Sequence, residues 1–114
     1  MVLKPKSNQI YDDYFISKKV LGLGISGKVL SCTSKTSQKT YALKTLRDSV
    51  KAKREIDLHW RACQGCPHIV QIIDVYENVI NSQKVLLVVM EWYIIIYLTT
   101  DGRPIEIENI LKIE

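Results

Sequence analysis

Glycine occurs five times, proline three times, cysteine three times and phenylalanine once in these 114 residues. Each scarcity removes a class of protein. With so little glycine and proline, no low-complexity segment or internal repeat appears. Three cysteines, an odd number, read most simply as reduced thiols rather than as a disulfide framework. The opening MVLKPKSNQIYDDY has no apolar core of signal-peptide length, so a cytoplasmic and/or nuclear location is expected. No apolar run reaches the roughly 20 residues of a spanning helix, and no membrane partner is expected. The longest run, VLLVVMEWYIIIYL (85–98), is interrupted by Glu91 and is rich in strand-forming β-branched and aromatic residues. A strong charge imbalance is also missing. The net charge of +4 suits an anionic ligand but does not argue for nucleic acid.

What is present is an ordinary globular composition, 46% hydrophobic and 25% charged. Residues 1–12 are polar, contain Pro5 and lack periodicity, which predicts a mobile lead-in. YFISKKVLGLG (14–24), KVLSCT (28–33) and TYALKTL (40–46) read as three strands, with a turn at SKTSQK (34–39). SVKAKREIDLHWRACQG (49–65) predicts the only helix, capped by Ser49 and ended by Gly65. HIVQIIDVYENV (68–79) and QKVLLVVMEW (83–92) predict two more strands. The fold class is therefore α+β: a five-stranded antiparallel sheet with one helix, in the order β-β-β-α-β-β.

Three of the five glycines fall within LGLGISGKVL (21–30). A dinucleotide-binding G-x-G-x-x-G opens a helix, whereas Gly22, Gly24 and Gly27 lead into a second strand. Gly22 to Lys28 also approaches a phosphate-binding G-x-x-x-x-G-K, but Val29 stands where the Mg²⁺-binding hydroxyl is required. What fits is a glycine hairpin lidding a nucleotide from above. Lys44 follows on the third strand, where a rigid sheet can aim its ammonium at phosphates, and Ala42 leaves room beside it for a flat ring. On the helix, Ala52, Ile56, His59, Trp60 and Cys63 form one stripe with Glu55 at its edge. A carboxylate there needs a partner, and a strand lysine can supply it.

Two further constellations compete. His59, Cys63, Cys66 and His68 offer donors for a zinc, but all are bunched in one short stretch without a spaced second pair, so no metal site is expected. Cys63 lies near a helix C-terminus, the wrong end for a low-pKa redox thiol. Lys51, Lys53, Arg54 and Arg61 form a basic cluster without interleaved aromatics, which reads as a solvated helix face.

From about Asp13 to Glu91 these motifs, with CPHIV (66–70) and LLVVME (86–91), resemble the N-terminal lobe of a eukaryotic protein kinase. LGLGISGKVL, KAKREIDLHWRA and CPHIVQIIDVYENV look most like the MAP kinase-activated protein kinases of the stress-response branch, Ser/Thr kinases that use ATP and Mg²⁺. The resemblance implies that Gly22, Gly24 and Gly27 cover the phosphates, with Leu23, Ile25, Ser26 and Lys28 completing the loop. It implies that Lys44 contacts the α/β-phosphates, that Glu55 orients Lys44, and that Leu21, Val29 and Ala42 sandwich the adenine. Met90 would be the gatekeeper, and the backbone of Glu91 and Tyr93 would meet the adenine edge.

The sequence departs from the family after Glu91, continuing WYIIIYLTTDGRPIEIENILKIE. Residues 13–92 then form a partial kinase domain, and 93–114 a divergent tail. The tail reads as a β-hairpin about Asp101-Gly102, although IEIENILKIE also fits helical spacing. There is no H-R-D, since His59 precedes Trp60 and His68 precedes Ile69, and no D-F-G, since Phe15 lies between Tyr14 and Ile16. The catalytic base and the metal-holding side chains are therefore absent. The expectation is a Ser/Thr kinase fragment carrying half of an ATP site, binding ATP weakly and unable to transfer phosphate alone. Its lobe face would be open to a protein partner or to self-association. The alternative is a non-catalytic interaction domain, or the product of a truncated transcript or gene model.

Overall fold

The structure, a computed structural model, describes residues 3–24 and 27–91, with backbone alone at 19, 20, 22–24, 27 and 28. Ile25, Ser26, Tyr93 and the expected tail hairpin lie outside the described residues. Five strands form one antiparallel sheet: β1 (Tyr14–Gly24), β2 (Gly27–Ser34), β3 (Thr40–Arg47), β4 (Ile72–Ile80) and β5 (Gln83–Glu91), in the spatial order β1-β2-β3-β5-β4. Among the described residues a single α-helix, α1 (Val50–Cys63), packs on one face. This is the α+β architecture that the sequence predicts.

Local chemistry explains the elements. Ser49, extended, accepts the Ala52 N–H at 2.9 Å and starts α1. Beyond the end of α1, Gly65 takes a φ of 70°, a left-handed conformation that glycine adopts without strain. Asn81 and Ser82 (φ 51° and 64°) both turn left-handed, giving the two-residue connection that joins β4 to β5. β4 begins at Ile72, later than its apolar pattern suggests. The preceding 66–70 stretch makes a turn instead, with Ile69 N–H donating to the Cys66 carbonyl at 3.3 Å.

β5 lies inside the sheet and is buried on both faces. Leu86, Val88 and Met90 join the core beneath α1, whereas Val85, Leu87 and Val89 join a second core with Ile10, Tyr14, Cys32, Leu43 and Tyr76. Its uninterrupted apolar run thus comes from two-sided burial. No helix among the described residues is long and apolar enough to cross a membrane.

From residue 3 onward, the stretch expected as a lead-in is laid along β4. Lys6 forms a parallel bridge to Tyr76, donating its N–H to Val75 O at 2.8 Å and accepting from Glu77 N at 2.9 Å. The Lys6 ammonium meets Asp74 at 3.1 Å and lies 5.5 Å from the centre of the Tyr76 ring. Buried Asn78 accepts the Ile10 N–H at 2.9 Å and donates to Asn8 O at 2.8 Å, while Ile10, only 1% exposed, fills the second core. Covering an edge strand in this way satisfies its free backbone groups. Asn78→Ala would strip both partners at once and is expected to cost about 1–3 kcal/mol, read from the urea midpoint.

Two tyrosine–carboxylate bonds tie the same region to β1. Tyr14 donates to Asp74 at 2.6 Å, Tyr76 donates to Asp13 at 2.7 Å, and the two rings meet edge to face at 6.0 Å. The bond from Tyr76, with a second from Asn8, holds the Asp13 carboxyl below its usual range. A lowered folded-state pKa means that this stabilisation is full above the ordinary carboxyl value of about 4 and is lost as pH falls below it. The melting temperature should therefore fall on acidification, and Tyr76→Phe should flatten that acid limb. An unchanged limb in the variant would remove Asp13 from the account.

Candidate nucleotide half-site

The β1–β2 hairpin brings the glycines together: Gly24 pairs with Gly27, Leu23 with Lys28, and Gly22 with Val29 across the ladder. β1 carries irregularities of register between Ile16 and Val20 and between Val20 and Gly22, which bend the strand as it approaches the loop. Val29 pairs in turn with Lys44 on β3, and Lys44 with Val88 on β5, while Ala42 pairs with Met90 and Tyr41 with Glu91. Directly opposed residues share a face. Lys44 therefore lies on the same face as Leu21, Val29, Ala42 and Met90, which all belong to the core beneath α1. The result is a flat apolar wall with one cation set into it.

Between that wall and α1 lies a cavity of about 40 Å³, lined by Lys44, Glu55, His59, Ile72, Val88 and Met90 among others. The fold brings Lys44 and Glu55 to one cleft. It does not join them. Among the described residues, the ion pairs are Lys6–Asp74, Lys53–Asp48, Arg61–Asp57 and Lys84–Glu77, none of them Lys44–Glu55. Glu55 is exposed and Lys44 half-buried. The helical wheel places Glu55 at the edge of the apolar stripe of α1 but says nothing about how far the helix stands from the sheet.

His59, which the sequence places on the helix stripe and offers as a zinc donor, lines this cavity. Its Nε2 meets the Val70 carbonyl at 2.8 Å, holding α1 to the loop that precedes β4. Cys63 is fully buried and donates its thiol to Trp60 O at 3.2 Å. No group of three or more His, Cys, Asp or Glu among the described residues is placed to hold a metal ion. Burial pushes the Cys32 thiol up to about 12, leaving it protonated near neutrality.

Comparison with known proteins decides which family uses this arrangement. The sequence model of the protein kinase domain matches residues 15–99. This chain belongs to the protein kinase family. Its five-stranded sheet with one helix is the small N-terminal lobe of that domain. It is similar to MAP kinase-activated protein kinase 2 of Oryctolagus cuniculus, 58% identical over 89 residues that cover 78% of this chain and 24% of the relative. The Drosophila melanogaster protein of the same name is 57% identical over 88 residues, 77% of this chain and 24% of that protein. MAP kinase-activated protein kinase mak-1 of Caenorhabditis elegans is 46% identical over 85 residues, 75% of this chain and 16% of the relative. The chain thus spans about a quarter or less of the length of these kinases.

Proposed function

We propose that this kinase lobe cradles ATP weakly, as half of a nucleotide site, and that it does not transfer phosphate unaided. The observation that carries this reading is the placement of Lys44 between Val29 and Val88, on the face that also presents Leu21, Ala42 and Met90. An apolar wall suits an adenine ring, and an ammonium at its margin suits phosphate oxygens. In this reading the β1–β2 glycines lie over the phosphates, Glu55 swings toward Lys44 when the cleft closes, and the backbone of Glu91 and Tyr93 meets the adenine edge. The chemistry of these residues suits ATP. It does not suit Mg²⁺, because no acidic cluster among the described residues is placed for it and the sequence offers no D-F-G, so no step is assigned to the metal.

With one wall only, the dissociation constant for ATP should be roughly millimolar or weaker. Calorimetry or a chemical-shift titration measures it directly. Micromolar affinity would contradict the half-site reading, and Lys44→Met should weaken whatever binding is found. Complete absence of binding would instead favour a non-catalytic interaction domain.

A further inference from the structure

Gln71 precedes β4 and carries none of the chemistry that drew attention to the glycines or to Lys44. Its side chain nevertheless gathers three backbone carbonyls. Nε2 lies 2.7 Å from Cys63 O, 3.0 Å from Cys66 O and 3.1 Å from Ile69 O. A primary amide has two N–H donors, so three acceptors share them. The acceptors also settle which way the amide faces, since its own oxygen would repel all three. Cys63 is the last residue of α1, and its carbonyl is one of those a helix end leaves unsatisfied. Gln71 therefore caps α1 from outside the helix and at the same time stitches down the 66–69 turn.

The main chain of the same residue points the other way. The Gln71 carbonyl accepts the N–H of Glu91, the last residue of β5, at 2.9 Å. One residue thus joins the end of α1, which carries Glu55, to the backbone at the end of β5. His59 reinforces the tie by engaging the carbonyl of the neighbouring Val70. Among the described residues, no ion pair between Lys44 and Glu55 links helix and sheet across the cleft. Besides the apolar packing of Ala52 and Ile56 on the sheet, a polar connection runs through this loop.

We infer that Gln71 is a positioning residue for the adenine side of the half-site, using its amide to lock α1 and the pre-β4 turn to the Glu91 backbone. The inference rests on the nucleotide reading proposed above. Removing the amide frees the turn, loosens the acceptor of the Glu91 N–H, and lets the adenine-facing backbone drift. The phosphate side, set by Lys44 within the β2–β3–β5 ladder, stays in place. Gln71 then governs recognition of the base rather than of the phosphates.

The test compares the full chain with Gln71→Met, which keeps the side-chain length and loses both donors. Gln64→Met serves as a control, because the exposed Gln64 amide donates to Trp60 O at the same helix end but has no link to Glu91. Amide exchange at Glu91 should accelerate roughly fivefold to tenfold in Gln71→Met alone, with the Leu43 and Val89 amides unchanged. Affinity for ATP should fall severalfold, whereas affinity for inorganic tripolyphosphate should not change. Unchanged exchange at Glu91 overturns the inference. So does an equal loss for both ligands, the mark of a merely structural role. If the parent chain binds neither ligand, the half-site reading fails and the adenine role fails with it, while the exchange data still judge the lock. If Gln71→Met loses protection at Leu43 and Val89 as well, Gln71→Asn, whose amide is one methylene short, carries the same comparison.

Discussion

Purified chain incubated with radiolabelled ATP, Mg²⁺ and a basic serine-containing peptide will transfer no phosphate above background. Phosphoryl transfer asks the protein for positioning and for charge neutralisation, supplied in kinases by metal-holding side chains and a catalytic carboxylate. In the proposed half-site Lys44 and Glu55 would orient phosphates, but these 114 residues contain no H-R-D and no D-F-G. A missing general base alone removes roughly 10²–10⁴ in rate, before the metal is counted. Transfer abolished by Lys44→Met would sink the half-site reading, whereas transfer indifferent to that change would expose a contaminating kinase.

Leu86→Ala should be among the most damaging single truncations in the lobe. Leu86 is fully buried on β5, within the core beneath α1. Removing a buried leucine side chain costs about 2–5 kcal/mol, against a total of about 5–15 kcal/mol for a typical domain. The lost volume also borders an existing cavity of about 260 Å³, lined by Leu3, Ile56, Val75 and Leu86 among others. The new space therefore merges with an opening rather than closing up. The cooperative thermal transition should shift down by ten degrees or more, of the order expected for a domain this small. Leu58→Ala, at an exposed position on α1, should stay within about 0.5 kcal/mol of the parent. Equal effects at the two positions would show that the β5 core does not carry the stability.

Much of this lobe is legible without coordinates, because its signals are local. Alternation and β-branching mark the strands, Ser49 and Gly65 bracket the helix, and glycines leading into a second strand distinguish a β-hairpin from a Rossmann turn. The family follows from the same residues. Tertiary structure decided what depends on distance between elements. Nothing in residues 3–12 announces that Lys6 will bridge to Tyr76 or that Asn78 will hold Ile10, since each bond joins stretches far apart in sequence. The helical period gives the direction in which Glu55 points but not the gap between α1 and the sheet, and across that gap Lys44 and Glu55 remain unpaired. In the sequence Gln71 looks like any polar residue of the strand predicted over 68–79. Only folding brings the Cys63, Cys66 and Ile69 carbonyls around its amide, because hydrogen-bond acceptors on a backbone leave no mark in the side-chain pattern.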